Sequence, residues 1–139
     1  AWEGLGYYSR ARRLLAGARE VMERHDGRIP ESLGELRALP GVGSYTAGAL
    51  ASLAFQQPEV AIDGNVVRVA SRLLALAEDP RRAAAKRRLE GAVRGWMPPG
   101  EARAFNSALM ELGATVCTPR RPQCERCPLQ YHCRARREG

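Results

Sequence analysis

Three groups of residues in this chain have the types and spacing to do chemistry. Cys117, Cys124, Cys127 and Cys133 are its only cysteines, spaced Cys-x6-Cys-x2-Cys-x5-Cys within the final 23 residues. Asp63-Gly64-Asn65 follows the short apolar run Val60-Ala61-Ile62 and opens a helical pattern. Leu39-Pro40-Gly41-Val42-Gly43-Ser44-Tyr45-Thr46 joins a short helical run to a longer one. Four thiolates in one short loop, restricted by Pro119, Pro122 and Pro128, can converge on a 4Fe–4S cluster or on zinc, although zinc more often uses two separated Cys-x2-Cys pairs. Disulfides would need an oxidising compartment, for which nothing in the sequence argues. Asp63 sits where a helix N-cap belongs; a carboxylate there can also stabilise positive charge on a substrate. The two hairpin glycines make a tight junction whose amides face outward, a natural seat for an oxyanion such as a DNA phosphate. Plain helix connections use glycine as well.

Helices must position these groups. Leu14, Leu15, Ala18, Val21 and Met22 recur at helical spacing between Tyr7 and His25, and Asp26-Gly27 ends that run. Ser32, three residues before Glu35, predicts a capping box for a helix that Pro40 stops. The run from Ser44 to Phe55 is rich in small residues, which predicts a buried, closely packed helix. Further helices are expected over 63–77 (Val66, Val69, Ala70 and Leu73 inward), from Pro80 to Trp96, and over 101–116 (Ala102, Phe105, Leu109, Leu112 and Val116 inward). Val60-Ala61-Ile62 is too short to assign as a strand. The fold class is all-α.

Bulk composition narrows the partners. The 139 residues are 45% hydrophobic, enough for one or two small units with a core. There is no apolar run of membrane-spanning length and no signal-peptide pattern, so no membrane partner is expected and a cytoplasmic, nucleoid-associated location is the default. A formal charge of +7 favours a polyanion. Lys86 is the only lysine and lies among Arg81, Arg82, Arg87 and Arg88, on what reads as a solvated helix face. Beyond Cys117 six arginines face two glutamates, and the loop presents Arg120 and Arg121.

Taken together and in order, the cysteine loop, the Leu-Pro-Gly-Val-Gly hairpin and Asp63-Gly64-Asn65 resemble the helix-hairpin-helix DNA glycosylases that carry an iron–sulfur cluster, the endonuclease III superfamily. The resemblance covers essentially the whole chain. It implies a helix-hairpin-helix glycosylase fold, with 1–57 the remainder of a six-helix domain and 58–139 a helical domain ending in the cluster loop (117–133). It also selects the 4Fe–4S reading, with Cys117, Cys124, Cys127 and Cys133 as ligands. Where the lyase branch has its Schiff-base lysine, two positions after the second hairpin glycine, this chain has Tyr45. With the stretches Trp2-Glu3-Gly4-Leu5-Gly6-Tyr7-Tyr8-Ser9-Arg10 and Phe105-Asn106, that tyrosine resembles the adenine DNA glycosylase branch.

The implied activity is hydrolytic removal of adenine mispaired with 8-oxoguanine or guanine in double-stranded DNA, by a monomer. Alternatives are a thymine-mismatch glycosylase, which shares the tyrosine, and a non-enzymatic DNA-binding module. By resemblance Asp63 is the catalytic carboxylate, flanked by Tyr45 and Asn65. Tyr7 resembles the residue that wedges into the duplex beside 8-oxoguanine, with a core aromatic as its plain alternative. Leu39, Gly41, Val42, Gly43, Ser44, Thr46, Arg120 and Arg121 contact DNA. The general-acid glutamate of that branch has no match at Glu3, and its domain for reading 8-oxoguanine has no counterpart here. The segment is therefore expected to be inactive alone.

Overall fold

The computed structural model describes residues 3–4 and 6–139; Trp2 and Leu5 of the opening motif lie outside the described residues. In chain order the helices are α1 (Tyr8–Arg24), α2 (Leu33–Ala38), α3 (Ser44–Ala49), α4 (Gly64–Leu74), α5 (Ala83–Trp96), α6 (Ala102–Thr115) and α7 (Arg134–Glu138). Single 3-10 turns at Cys124–Arg126 and Gln130–His132 shape the cysteine loop. Among the described residues there is no strand, and no helix is long and apolar enough to cross a membrane.

Apolar side chains gather in two clusters. Leu36, Leu39, Ala47 and Ala51 close the hairpin formed by α2 and α3, with Val21 of α1 and Val42 packed against them. Val66, Val69 and Ala70 of α4 meet Leu89 and Val93 of α5 and Leu109 of α6 in the other. Both follow from helical periodicity, which lines these positions along one face of each helix. Val60-Ala61-Ile62 joins the two clusters without forming a strand. Buried Asn106 of α6 pins this connection: its Oδ1 accepts the Ala61 amide at 2.9 Å, and its Nδ2 donates to the carbonyls of Glu59 (2.9 Å) and Ala102 (2.8 Å).

Three expectations need correcting. On α1 the apolar stripe is only partly inward: Val21 packs on the hairpin cluster, but Leu14 and Met22 are 63% and 68% exposed. The helix also meets the hairpin through glycines, where a Cβ on Gly17 would stand 2.9 Å from the Pro40 carbonyl oxygen and one on Gly41 2.8 Å from Arg13 Cβ. The reciprocal half of the capping box also differs. Ser32 Oγ accepts the Glu35 amide at 3.2 Å, but the Glu35 carboxylate takes the Ser32 hydroxyl rather than a backbone N–H. Finally, the helix from Ser44 is α-helical only to Ala49 and continues as a π turn over Leu50–Ala54, with the Phe55 amide donating to the Leu50 carbonyl at 3.3 Å. Ser52 Oγ donates to the Gly48 carbonyl at 2.7 Å, supplying a side-chain donor where the ladder slips by one residue.

Gly48 carries the tightest backbone contact across this junction, since a Cβ there would lie 2.3 Å from the Val60 carbonyl oxygen. Gly48→Ala is therefore expected to cost about 1–3 kcal/mol in folding stability by forcing α3 away from the connection. Urea unfolding followed by circular dichroism reads this directly; an unchanged midpoint would show that the contact relaxes freely.

Candidate active site and cluster loop

Asp63 is the N-cap of α4, with extended backbone (φ −96°, ψ −178°). Its Oδ1 accepts the Val66 amide at 2.7 Å and its Oδ2 accepts the Asn65 side-chain amide at 2.9 Å. The structural role foreseen for this aspartate is thus present, and it leaves the carboxylate half-buried at a helix N-terminus. The dipole there favours a negative charge.

Behind this carboxylate runs a chain of contacts. Asn65 Oδ1 accepts from Arg68 Nη2 at 2.7 Å, which fixes the amide so that its NH2 faces Asp63. The same Arg68 Nη2 donates to the Gly113 carbonyl (2.7 Å), and its Nε donates to the Cys117 carbonyl (2.8 Å). Gly113 lets α6 approach this closely: a Cβ there would stand 2.6 Å from Asn65 Cβ. The first cysteine of the loop is therefore linked to Asp63 through two side chains.

Tyr45, on the first turn of α3, is 43% exposed and directs its hydroxyl at Met110 Sδ of α6, at 3.9 Å. It lines a cleft of about 300 Å³ with Ser44, Ile62, Lys86, Arg87 and Arg94; Asp63 is not among the lining residues. Lys86 lies at that cleft rather than on a wholly solvated face, and it pairs with Glu90 at 3.8 Å.

On the hairpin, Gly41 adopts φ +83° and no side chain caps α3, so the amides of its first turn have no partner within the helix. Ser44 and Thr46 are exposed and Val42 is half-buried. Leu39 needs correcting as a DNA contact. Its side chain is only 6% exposed in the hairpin core, its amide donates to Leu36, and its carbonyl accepts from Val42. It shapes the turn and presents nothing outward.

Tyr7, the N-cap of α1, is held at φ 49°, ψ 38° and is 82% exposed. A left-handed backbone is costly for a bulky side chain, and such outliers gather at functional sites. The plain reading of Tyr7 as a core aromatic does not hold.

The four cysteines are free and half-buried. Cys117 follows α6, Cys124 and Cys127 bracket a 3-10 turn, and Cys133 is the N-cap of α7. All four line one pocket, together with Arg72, Val116 and Pro122. Among the described residues no three His, Cys, Asp or Glu side chains are grouped as a single metal ion would need. Four thiols facing one apolar-walled pocket fit an iron–sulfur group, which takes four cysteine ligands from a compact loop. Arg120 and Arg121 are exposed on this loop.

Sequence reasoning missed Arg68, Arg72 and Gly113, and gave Asn106 no structural task. The signal available was two arginines four apart on a helix whose other face is apolar.

Comparisons with known proteins agree with this geometry. The model described as HhH-GPD superfamily base excision DNA repair protein matches residues 1–94, and the iron–sulfur binding domain of endonuclease III matches residues 117–133. The chain is 51% identical over 136 residues to an adenine DNA glycosylase of Homo sapiens, covering 97% of this chain and 25% of that protein. It is 44% identical over 140 residues to an adenine DNA glycosylase of Mycolicibacterium smegmatis, covering 100% of this chain and 46% of that protein. It thus spans less than half the length of either relative. Among solved structures, a thermostable thymine-DNA glycosylase superposes with a TM-score of 0.80 at 34% identity, over 94% of this chain and 60% of that one. A non-covalent endonuclease III–DNA complex gives 0.78 at 30% identity, over 97% and 61%. With more than half its length matched by that family model, the chain belongs to the HhH-GPD superfamily of base excision DNA repair proteins.

Proposed function

We propose that this chain is part of a monofunctional DNA glycosylase that releases adenine mispaired with 8-oxoguanine or guanine. The observation that carries the reading is Asp63, a carboxylate fixed at an N-terminus by Val66, Asn65 and, behind them, Arg68. Breaking the bond between the base nitrogen and C1′ of the sugar leaves positive charge on the sugar ring. A carboxylate about 4 Å away, at an effective dielectric near 20, stabilises that charge by about 4 kcal/mol. This is worth roughly a thousandfold in rate. Water then completes the hydrolysis, leaving an abasic site.

The adenine assignment draws on the named relatives, and Tyr45 in place of a lysine supports base removal without Schiff-base chemistry. A second reading, thymine removal, draws support from the likeness to the thymine-DNA glycosylase. Comparing excision of A opposite 8-oxoguanine with T opposite G separates the two.

The remaining residues fall into roles around double-stranded DNA. Tyr7 wedges into the gap left by the extruded nucleotide, where an aromatic ring recovers stacking. Of the amides from Val42 onward, that of Val42 is taken by the Leu39 carbonyl, and those of Gly43 to Thr46 hold a phosphate, assisted by Ser44 and Thr46; Arg120 and Arg121 approach the backbone. Cys117, Cys124, Cys127 and Cys133 ligate a 4Fe–4S cluster. The two apolar clusters support a division into halves at 57/58.

Three outcomes follow for the protein that carries this chain. Asp63→Asn keeps an N-cap acceptor and loses less than about 1 kcal/mol of stability. Its single-turnover excision nevertheless falls about a thousandfold with DNA binding retained. Unchanged excision would refute the role of Asp63. Tyr7→Gly removes a left-handed strain of order 1–3 kcal/mol, so thermal stability holds or rises while binding to mispaired DNA weakens; a gel-shift titration with a melting curve tests both. Arg68→Gln leaves Asn65 free to turn and lowers the excision rate more than substrate binding, a split visible in single-turnover kinetics over a range of enzyme concentrations.

A further inference from the structure

Arg72 meets both ends of the cysteine loop. Its Nη1 lies 3.2 Å from Cys117 Sγ and donates to the Thr118 carbonyl at 2.8 Å, with the Cys117 carbonyl at 3.4 Å. Its Nη2 donates to the Pro119 carbonyl at 3.0 Å. At the other end of the loop, Cys133 Sγ approaches the Arg72 carbonyl at 3.6 Å. One residue of α4 therefore touches the first and the last cysteine of the sequence, and it lines the pocket that all four share. Arg72 is half-buried, so its contact with sulfur is only partly screened by water. A lysine could not span these acceptors: the planar guanidinium presents its donors in a fixed fork.

We propose that Arg72 holds the cluster: its fork closes the cysteine loop on α4 and donates an N–H···S hydrogen bond to the Cys117 thiolate. The inference rests on reading the four cysteines as cluster ligands. Two consequences follow from its chemistry. The fork satisfies the Thr118 and Pro119 carbonyls, so this end of the loop is tied to α4 by contacts within the protein itself. Once the thiolate is bound, the donor stabilises the electron-richer state of a one-electron couple, and hydrogen bonds to the sulfurs are one of the levers that set the potential of such clusters. Removing the donor therefore moves the potential to more negative values.

The test compares wild type, Arg72→Gln, Arg72→Lys and Arg136→Gln in the cluster-loaded protein. Arg136 also lines the pocket, but its Nη1 donates to Gln130 Oε1 at 2.8 Å and not to sulfur, so this variant removes the same charge without removing a donor to sulfur. Iron and sulfide per chain, the half-life of the visible absorbance under a chelator, and the potential by film voltammetry are recorded. Loss of the cluster is expected to be roughly tenfold faster in Arg72→Gln, the worth of one hydrogen bond to a charged group. Its potential is expected below that of both wild type and Arg136→Gln, with Arg72→Lys between. If Arg72→Gln takes up no cluster, Arg72→Lys decides: a half-life and potential equal to wild type overturn the proposal. Equal potential shifts in Arg72→Gln and Arg136→Gln also overturn it, since charge alone would then account for them. A wild type that purifies without iron refutes the ligand reading itself, and the proposal falls with it.

Discussion

Two guanidinium groups, one helical turn apart on α4, hold the C-terminal part of this molecule together. Arg68 and Arg72 take the carbonyls of Gly113, Cys117, Thr118 and Pro119, which lie at and beyond the end of α6. Carbonyls at a helix end have no partner inside the helix, and cations are favoured beside them. Hydrogen bonds to charged groups contribute about 1.5–3 kcal/mol each, so the pair is a sizeable part of the stability of a small domain. The orientation of Asn65, and through it one oxygen of Asp63, depends on the same contacts.

Some of this was legible in the chain and some was not, for identifiable reasons. Val66, Val69, Ala70 and Leu109 read correctly as inward because their partners lie within the same segment. Leu14 and Met22 recur at helical spacing as well, yet are exposed. Periodicity reports that a helix has an apolar face without saying what covers it. Arg68 and Arg72 look like solvated cations in one dimension; only the fold brings carbonyls 45 to 49 residues away within their reach. Asn106 is similar, since its three partners come from two segments that no local pattern connects. Asp63 was the easiest residue to place because N-cap and candidate carboxylate select the same position.

Close approach through glycine recurs where the parts meet. Gly17 and Gly41 seat α1 on the hairpin, Gly48 seats α3 on the connection before Asp63, and Gly113 seats α6 against Asn65. Each junction brings backbone against a neighbouring element, where a side chain would act as a spacer. The site is thus framed by missing atoms as much as by present ones, which suits a constellation whose geometry must not drift.

The π turn at Leu50–Ala54 has a consequence for how this segment varies over time. It holds one residue more per hydrogen-bonded loop than an α-helical turn would. Losing that residue could restore an ordinary helix locally, yet each residue of an α-helix advances by roughly 100°. The hairpin would then be rotated relative to Asp63 by about that angle, with every side chain on either side still intact. Length is therefore constrained here as well as residue identity: a single deletion puts the hairpin turn and the carboxylate out of phase.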